Sequence, residues 1–394
     1  SVRYKVPISA SACPWMHVPR MRCHALTIDE IHELEEDFRR SVQIALRSGA
    51  DCVGIHAYGG YLTDQFLTRR WNTRTDAYGG SLENRARFLT ELIAICKEEG
   101  GADFPVIVKF TPDHYMDGEG YRAIDEGIEL AKLIVAAGAD ALHVDAGCHE
   151  NWPNAMPPAG MQQMTLQSRS AKIIRSVVDV PVMTHGRFGD VDKAEAALRD
   201  GVCDIAVIGR GLLADPDLPN KARMGKADEI NQCLRCYTCF SQLITTGQYG
   251  CAINPTTGRE LECKYDTPPV NKRNVVVVGG GIGGMEAALI AAERGHKVTV
   301  IEKAGRLGGV LLIEEDVSFK AKLKLYIETQ ARKVMKNENI TVMLSTEATP
   351  ELVSSMEPDA VIAALGSRPA IPTYLPGYDK ANVMPAEYAY THAD

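Results

Sequence analysis

Four of the eleven cysteines stand close together, at Cys233, Cys236, Cys239 and Cys251. The spacing C-x₂-C-x₂-C-x₁₁-C offers three thiolates within seven residues and a fourth from a following segment, which is the ligand count of a [4Fe–4S] cluster. A zinc site is the main alternative, although zinc sites more often present two separated pairs of ligands. The third interpretation is that the four cysteines are incidental thiols. The other seven cysteines are scattered singly, as is usual for free thiols in a reducing compartment. The cluster predicts a metal-binding segment and favours iron–sulfur.

A glycine-rich turn, GGGIGG, follows the apolar run Asn274–Val278 and precedes a helical pattern. It reads as G-x-G-x-x-G on Gly279, Gly281 and Gly284. Glu302 ends the next apolar run about 20 residues later, where a ribose-binding acid belongs. Such glycines let a pyrophosphate approach a helix N-terminus. The turn therefore predicts a dinucleotide site, and a turn with packing duties alone is the alternative.

Two Gly-Arg pairs, Gly186-Arg187 and Gly209-Arg210, each follow a predicted strand. Backbone N–H groups and guanidinium charge at neighbouring strand ends suit a phosphate group. Two surface arginines after turn glycines are the alternative. Lys109 lies near the end of another predicted strand, where it would hold negative charge on a reduced flavin or simply extend along the surface.

The segment His56-Ala-Tyr-Gly-Gly-Tyr61 closes the first predicted strand. His56 could donate to a substrate carbonyl, and Tyr61 could supply a proton from its neutral hydroxyl. Ordinary packing roles are the alternative for both side chains. The later run Cys148-His149-Glu150 has no metal-ligand spacing and is interpreted as pocket lining.

The elements that must position these residues alternate regularly over the first two thirds of the chain. Strands are predicted over 52–56, 105–110, 141–144, 181–184 and 204–208, and helices over 27–48, 82–99, 123–137, 165–178, 191–200 and 218–224. Strands separated by single helices pair in parallel. An open doubly wound sheet and part of a (β/α)₈ barrel both satisfy this pattern. Long polar loops after the strands favour the barrel, and because five strands cannot close it we expect a partial barrel.

The chain is therefore expected to be α/β with three parts. Residues 1–225 form the C-terminal part of a TIM barrel, 226–268 a cysteine segment and linker, and 269–394 a truncated Rossmann-like domain. A formal net charge of −8 disfavours nucleic acid as a partner. No apolar run approaches the roughly 20 residues of a membrane-spanning helix, and residues 1–5 do not resemble a signal peptide. We expect a cytoplasmic protein with a small-molecule partner, and a homo-oligomer is compatible with the sequence.

Three motifs resemble the Old Yellow Enzyme family: YLTDQF at Tyr61–Phe66, RTDAYGGSLENRARF at Arg74–Phe88, and GRGLLADPD at Gly209–Asp217. The cysteine cluster followed by Asn254-Pro255 is similar to the multidomain iron–sulfur subgroup, as are the glycines after Val278 with Gly308-Gly309. That subgroup includes 2,4-dienoyl-CoA reductase, enoate reductases, bile-acid oxidoreductases and trimethylamine dehydrogenase. The resemblance implies FMN in the barrel, a [4Fe–4S] cluster, and an FAD domain split by an NAD(P) domain. It also implies that the chain begins after the early barrel strands and ends near the nicotinamide-binding insertion.

The resemblance also assigns roles to single residues. Lys109, Arg187, Gly209 and Arg210 match FMN contacts in the family, and Gly186 precedes one of them.

In the substrate region of the family, Tyr61 matches the proton donor and His56 the first residue that anchors the carbonyl. The second anchor, usually His or Asn, is Gly59 here, and a His contributes near the position of His149 in the dienoyl-CoA branch. The cysteine spacing x₂-x₂-x₁₁ also differs from the x₂-x₃-x₁₁ of that branch and is more similar to that of the amine dehydrogenases. Reduction of an activated C=C bond is thus the leading hypothesis for activity, with NAD(P)H as donor and electrons passing from FAD through the cluster to FMN. Oxidative dehydrogenation of an amine or steroid is the second hypothesis, and a non-catalytic electron-transfer module is the third.

Overall fold

A computed structural model of the chain describes residues 6–15, 18–151, 156, 166–264, 271–314, 318–367 and 370–391. The chain divides into two compact units, Ser1–Gly209 and Arg210–Asp394. The predicted boundaries of the three parts, at 225 and 268, stay predictions, and the second lies outside the described residues. In the described part of the chain, no helix combines the length and the apolar character needed to cross a bilayer.

The first unit opens with short strands and continues as alternating strands and helices. The short strands are β1 (Ile8–Ser9), β2 (Pro14–Trp15), β3 (Val18–Arg22) and β4 (His24–Ala25), with β1 paired to β4 and β2 to β3. One parallel sheet follows in chain order, made of β5 (Val53–Ala57), β6 (Val106–Phe110), β7 (Ala141–Val144), β8 (Val182–His185) and β9 (Ile205–Val207). The helices are α1 (Ile28–Arg47), α2 (Leu62–Leu67), α3 (Leu82–Gly100), α4 (Ile124–Ala136), α5 (Leu166–Arg175) and α6 (Val191–Arg199).

The two faces of this sheet differ in the way that a barrel wall requires. Residues such as Val108, Phe110 and Leu142 point to one face and are fully buried in a core shared with the helices. The residues that alternate with them, among them Lys109 and His143, are only partly covered. A doubly wound sheet would carry helices on both faces and reverse its strand order, whereas this one runs consecutively. The first unit is therefore part of a (β/α)₈ barrel, as predicted, and its polar face is the barrel interior.

Local sequence explains why most predicted elements lie within a few residues of their observed bounds. The capping box is present, because the Thr27 side chain accepts from the Glu30 N–H and the Glu30 carboxylate accepts from the Thr27 N–H. One prediction was wrong: the segment after β5 is not a continuous polar loop, since it contains α2. Its polar residues Thr63, Asp64 and Gln65 are buried, which residue type alone does not indicate.

The second unit begins with four short helices, α7 (Arg210–Ala214), α8 (Leu218–Arg223), α9 (Thr238–Thr246) and α10 (Glu260–Lys264). A parallel four-stranded sheet follows, made of β10 (Asn274–Val278), β11 (Lys297–Ile301), β12 (Ile340–Met343) and β13 (Ala360–Ala363) in the order β12-β11-β10-β13. Its helices are α11 (Ile282–Glu293), α12 (Ala321–Lys336), α13 (Pro350–Ser355) and α14 (Ala386–Thr391). This is the predicted Rossmann-like arrangement, with the glycine-rich turn between β10 and α11.

Candidate active site and cofactor-binding segments

Three aromatic side chains and a lysine meet at the carboxyl ends of β5 and β6. The His56 ring lies 4.8 Å from the Tyr61 ring and 4.7 Å from the Tyr58 ring, as centroid distances. His56 and Lys109 are direct partners in the register of the two strands. The Lys109 ammonium stands 4.0 Å from the centre of the Tyr58 ring, a cation–π contact. The structure thus brings together His56, Tyr61 and Lys109, which the sequence selected from separate segments.

The His56 and Tyr61 side chains are partly exposed, and their neighbours desolvate them enough to favour the neutral forms. Burial, followed by the positive charge of Lys109, lowers the pKa of His56. Burial raises the pKa of the Tyr61 phenol. A neutral imidazole can donate one hydrogen bond, and a neutral phenol keeps the proton that a general acid must transfer.

Lys109 forms an ion pair with Asp145, a carboxylate that the sequence analysis did not select. Asp145 follows β7, is almost fully buried, and lies 3.0 Å from the Lys109 ammonium and 3.4 Å from His185 Nε2. Burial opposes ionisation of Asp145, but His185 and Lys109 outweigh it and hold the pKa below its ordinary value. Asp145 therefore stays charged and fixes the lysine. Its partners lie on other strands, so no local motif could reveal it.

Two histidines continue this group along the barrel interior. His143 Nε2 lies 3.1 Å from His185 Nδ1 across β7 and β8. Burial, reinforced by His185 and Lys109, lowers the pKa of His143 to about 3, so His143 is neutral. A chain of polar contacts thus runs from Lys109 through Asp145 and His185 to His143.

The segment interpreted as pocket lining lies directly against the proposed proton donor. Cys148 forms an isolated parallel bridge with Gly59, and the His149 N–H donates to the Gly59 carbonyl at 3.0 Å. The His149 ring lies 4.4 Å from the Tyr61 ring, centroid to centroid. Burial raises the pKa of the Cys148 thiol to about 11, so it is not a nucleophilic thiolate near neutral pH.

The residues predicted to bind phosphate follow β8 and β9, which pair in parallel. Arg187 has a left-handed backbone, with φ of 64°, directly after Gly186 with φ of 152°. Gly209 ends the first unit and Arg210 begins α7 in the second. Within the described residues, Arg210 Nη1 is buried without a hydrogen-bond acceptor, and the guanidinium stacks on Tyr237. A buried N–H of this kind is expected to have a partner, and a phosphate oxygen fits it.

The four predicted ligand cysteines belong to the second unit and are near one another. Burial raises the pKa of the Cys251 thiol, and the nearby thiols of Cys233 and Cys236 add to the rise. Burial likewise raises the pKa of Cys239, with Cys233 and Cys236 adding. The Arg235 N–H donates to Cys233 Sγ at 3.4 Å, a contact that would stabilise a sulfur ligand.

No compact metal centre is preformed, since no three His, Cys, Asp or Glu side chains of the described residues are grouped to hold one ion. Left-handed backbone at Arg235 and Tyr237 nevertheless turns the chain between the first three cysteines. In its number of cysteines and in the Arg235 N–H donor to Cys233 Sγ, the segment fits an iron–sulfur group. Ligation itself stays a prediction.

The glycine-rich turn has the close approaches that a dinucleotide site requires. A Cβ on Gly284 would stand 1.8 Å from the Gly279 carbonyl oxygen, so only glycine lets α11 pack against the turn. Gly279 has φ of 108°, and its Cβ would stand 2.3 Å from the Ala364 carbonyl oxygen. Around Gly281 the nearest atom to an added Cβ is Gly309 Cα at 3.8 Å, which leaves space above the helix N-terminus. These are the three separate duties of the fingerprint glycines.

Glu302 lies immediately after β11 and is nearly buried. Its carboxylate accepts from the Gly280 N–H at 2.6 Å and from the Ala304 N–H at 2.8 Å. The predicted ribose-binding acid is therefore already fixed beside the glycine-rich turn.

The first unit is a partial (β/α)₈ barrel, and the second contains a parallel sheet whose first turn carries the G-x-G-x-x-G pattern. The sequence model of the NADH:flavin oxidoreductase / NADH oxidase family matches residues 5–229, and that of the pyridine nucleotide-disulphide oxidoreductases matches residues 251–388. The chain belongs to the NADH:flavin oxidoreductase / NADH oxidase family, which confirms the resemblance to the Old Yellow Enzyme family.

Several characterised proteins are similar over most of this chain. A cinnamate reductase from Clostridium sporogenes is 38% identical over 96% of the chain and 59% of its own length. An NADH oxidase from Thermoanaerobacter brockii is 37% identical over 91% of the chain and 55% of its own length. A solved 2-naphthoyl-CoA reductase in complex with 2-naphthoyl-CoA superposes with a TM-score of 0.89, at 31% identity, over 99% of the chain and 59% of that structure. The chain thus spans a little more than half the length of these relatives.

Proposed function

We propose that the protein reduces an activated C=C bond of an enoate, enone or dienoyl-CoA type substrate with electrons from NAD(P)H. The observation that carries the proposal is the meeting of His56, Tyr61 and Lys109 at the carboxyl ends of β5 and β6. The similarity to a cinnamate reductase and a 2-naphthoyl-CoA reductase supports a conjugated carbonyl or carboxyl substrate.

Each side chain has a distinct part in this reaction. The neutral His56 ring donates a hydrogen bond to the carbonyl or carboxylate oxygen and withdraws electrons from the conjugated β-carbon. The Tyr61 hydroxyl transfers its proton to the α-carbon and regains one from solvent. The Lys109 ammonium, fixed by Asp145, stabilises negative charge beside the reaction centre.

The cofactors are assigned to separate segments. FMN would be held by Lys109, Gly186-Arg187 and Gly209-Arg210, FAD by Gly279, Gly281, Gly284 and Glu302, and a [4Fe–4S] cluster by Cys233, Cys236, Cys239 and Cys251. When bound, the two flavins supply hydride chemistry and the cluster supplies single-electron transfer between them.

Replacement of Tyr61 by Phe tests the assignment, because it removes the proton and keeps the ring. In protein made from the complete coding sequence and loaded with its cofactors, Tyr61→Phe should lower anaerobic turnover of cinnamate with NADH by about 10²-fold or more. Reduction of the flavin by NADH should be unchanged in the same variant. Equal turnover in the two proteins would remove Tyr61 as proton donor. Flavin reduction by an amine without NADH would instead establish the oxidative hypothesis.

A further inference from the structure

A fully buried carboxylate lies beneath the turn that carries Tyr61. Asp64 is the third residue of α2, and Tyr61 is the residue that caps the start of that helix. Four donors reach the Asp64 carboxylate: the Gly60 N–H at 2.9 Å, the Thr68 hydroxyl at 3.2 Å, His114 Nε2 at 3.1 Å and Arg122 Nη1 at 3.0 Å. Burial opposes ionisation of Asp64, but the charge of Arg122 and the hydrogen bonds outweigh it and lower the pKa to about 2.

The partners of Asp64 are themselves held in place. Arg122 is buried and also donates to the Thr111 carbonyl at 2.5 Å and to the Thr68 hydroxyl at 2.8 Å. The Arg122 backbone N–H donates to His114 Nδ1 at 2.9 Å. His114 Nε2 must therefore carry a hydrogen, which it donates to Asp64. The Asp64, His114 and Arg122 side chains each have two or more polar partners, which restricts their movement.

Besides packing in the core, this network helps to hold the backbone of the turn at Gly59 and Gly60. Gly59 and Gly60 both have left-handed backbone, with φ of 71° and 86°, and two successive glycines leave a turn free to move unless it is tied. Here it is tied at every polar backbone group. The Gly60 N–H is held by Asp64, the Gly59 N–H by the Thr111 hydroxyl, the Gly60 carbonyl by Gln65 Nε2 and the Gly59 carbonyl by the His149 N–H.

Stability does not explain an ion pair in this position. Desolvation of two charges consumes most of their attraction, and apolar substitutes for such pairs are often as stable or more so. The peptide N–H that Asp64 binds belongs to Gly60, the residue before Tyr61, and the Tyr61 ring contacts the rings of both His56 and His149. Since a shift of about 1 Å at a reacting group can cost 10²-fold in rate, fixing this peptide has a direct catalytic value.

We propose that Asp64, held by Arg122 and His114, is a positioning residue that aims the Tyr61 hydroxyl at the substrate α-carbon. The inference rests on the proposed role of Tyr61 as proton donor. In the assisted step the Tyr61 O–H bond breaks and a C–H bond forms at the α-carbon. A bound reduced flavin would supply the hydride for the β-carbon, and solvent returns the proton to Tyr61.

The test separates protonation from electron delivery. Asp64→Asn keeps the side-chain shape but removes the charge and turns one acceptor into a donor. In the NADH-reduced, cofactor-loaded enzyme, Asp64→Asn should slow flavin reoxidation by cinnamate by about 10- to 100-fold. Flavin reduction by NADH and reoxidation by ferricyanide, which take no proton from Tyr61, should remain within about 2-fold of wild type.

A double-mutant cycle with Tyr61→Phe decides between positioning and a general loss of structure. In the Tyr61→Phe background, Asp64→Asn should slow reoxidation by cinnamate less than about 3-fold further, because there is no proton left to aim. A full additional loss would overturn the positioning role while leaving the role of Tyr61 intact. If Tyr61→Phe alone has no effect, the proposed role of Tyr61 as proton donor fails instead.

The control removes an ion pair from the other end of the sheet. Asp140 lies just before β7, where its carboxylate accepts from Lys97 at 2.7 Å and from the Val106 N–H at 2.6 Å. Asp140→Asn should lower the melting temperature without changing reoxidation by cinnamate. Arg122→Lys keeps the positive charge beside Asp64. If Asp64→Asn does not fold, the double-mutant cycle with Tyr61→Phe is measured with Arg122→Lys instead. Reoxidation at the wild-type rate in folded Arg122→Lys and Asp64→Asn would also overturn the proposal.

Discussion

At the scale of single residues, the environment of each side chain decides its chemistry more than its type does. Desolvation by neighbouring groups raises the pKa of the exposed Tyr61 phenol and lowers that of His56, whereas partners on other strands keep Asp145 charged despite its burial. Among the described residues, His56, His143 and His185 lie on β5, β7 and β8, and the His149 ring contacts the Tyr61 ring. In the proposed site, the neutral Tyr61 phenol would donate a proton, while the charged Lys109, held by Asp145, would stabilise negative charge.

The cysteine segment gives the residue-scale prediction. Cys236→Ser should reduce iron from about four atoms per chain to less than about one, because a cubane needs all four thiolates. Cys263→Ser is the matched control, since Cys263 is exposed and lies outside the predicted ligands. Iron and acid-labile sulfide are measured on anaerobically purified protein. One zinc atom per wild-type chain and no iron would contradict the prediction.

At the scale of elements, short apolar runs separated by helical patterns predicted strands such as β6, β7 and β10, because these strands contain buried residues. Sequence reasoning failed where long-range partners decide the structure. In α2 the buried polar residues depend on His114 and Arg122, which are 50 and 58 residues away from Asp64. Asp145 was missed for the same reason. By contrast, the roles of the glycines in the turn after β10 follow from a local motif that the structure reproduces.

That turn provides an element-scale prediction with an internal control. Gly284→Ala places a methyl group where only 1.8 Å separates it from the Gly279 carbonyl oxygen, so α11 must move away from the turn. We expect loss of bound FAD and a melting temperature several degrees lower. At Gly283 an added Cβ meets nothing within 4 Å, and Gly283→Ala should keep both FAD and stability. FAD released by heat and quantified per chain distinguishes the two, and equal FAD content would contradict this account of the turn.

At the scale of the whole molecule, the chain joins a partial barrel to a segment with four closely spaced cysteines and a Rossmann-like sheet. Two family models match the chain over separate ranges, 5–229 and 251–388. A two-electron donor and a two-electron acceptor connected through a single-electron carrier would let the two half-reactions proceed at separate sites. The central claim is that this order of carriers serves the reduction of a conjugated alkene.

An anaerobic titration followed by absorption and electron paramagnetic resonance tests that claim most directly. Protein made from the complete coding sequence is reduced with NADH and then mixed with cinnamate. The account predicts that NADH bleaches both flavins and produces the signal of a reduced iron–sulfur cluster. Cinnamate should then restore the oxidised spectrum with formation of one dihydrocinnamate for each two electrons. Flavin reduction that leaves the cluster silent, or a reduced enzyme that only oxygen can reoxidise, would contradict it.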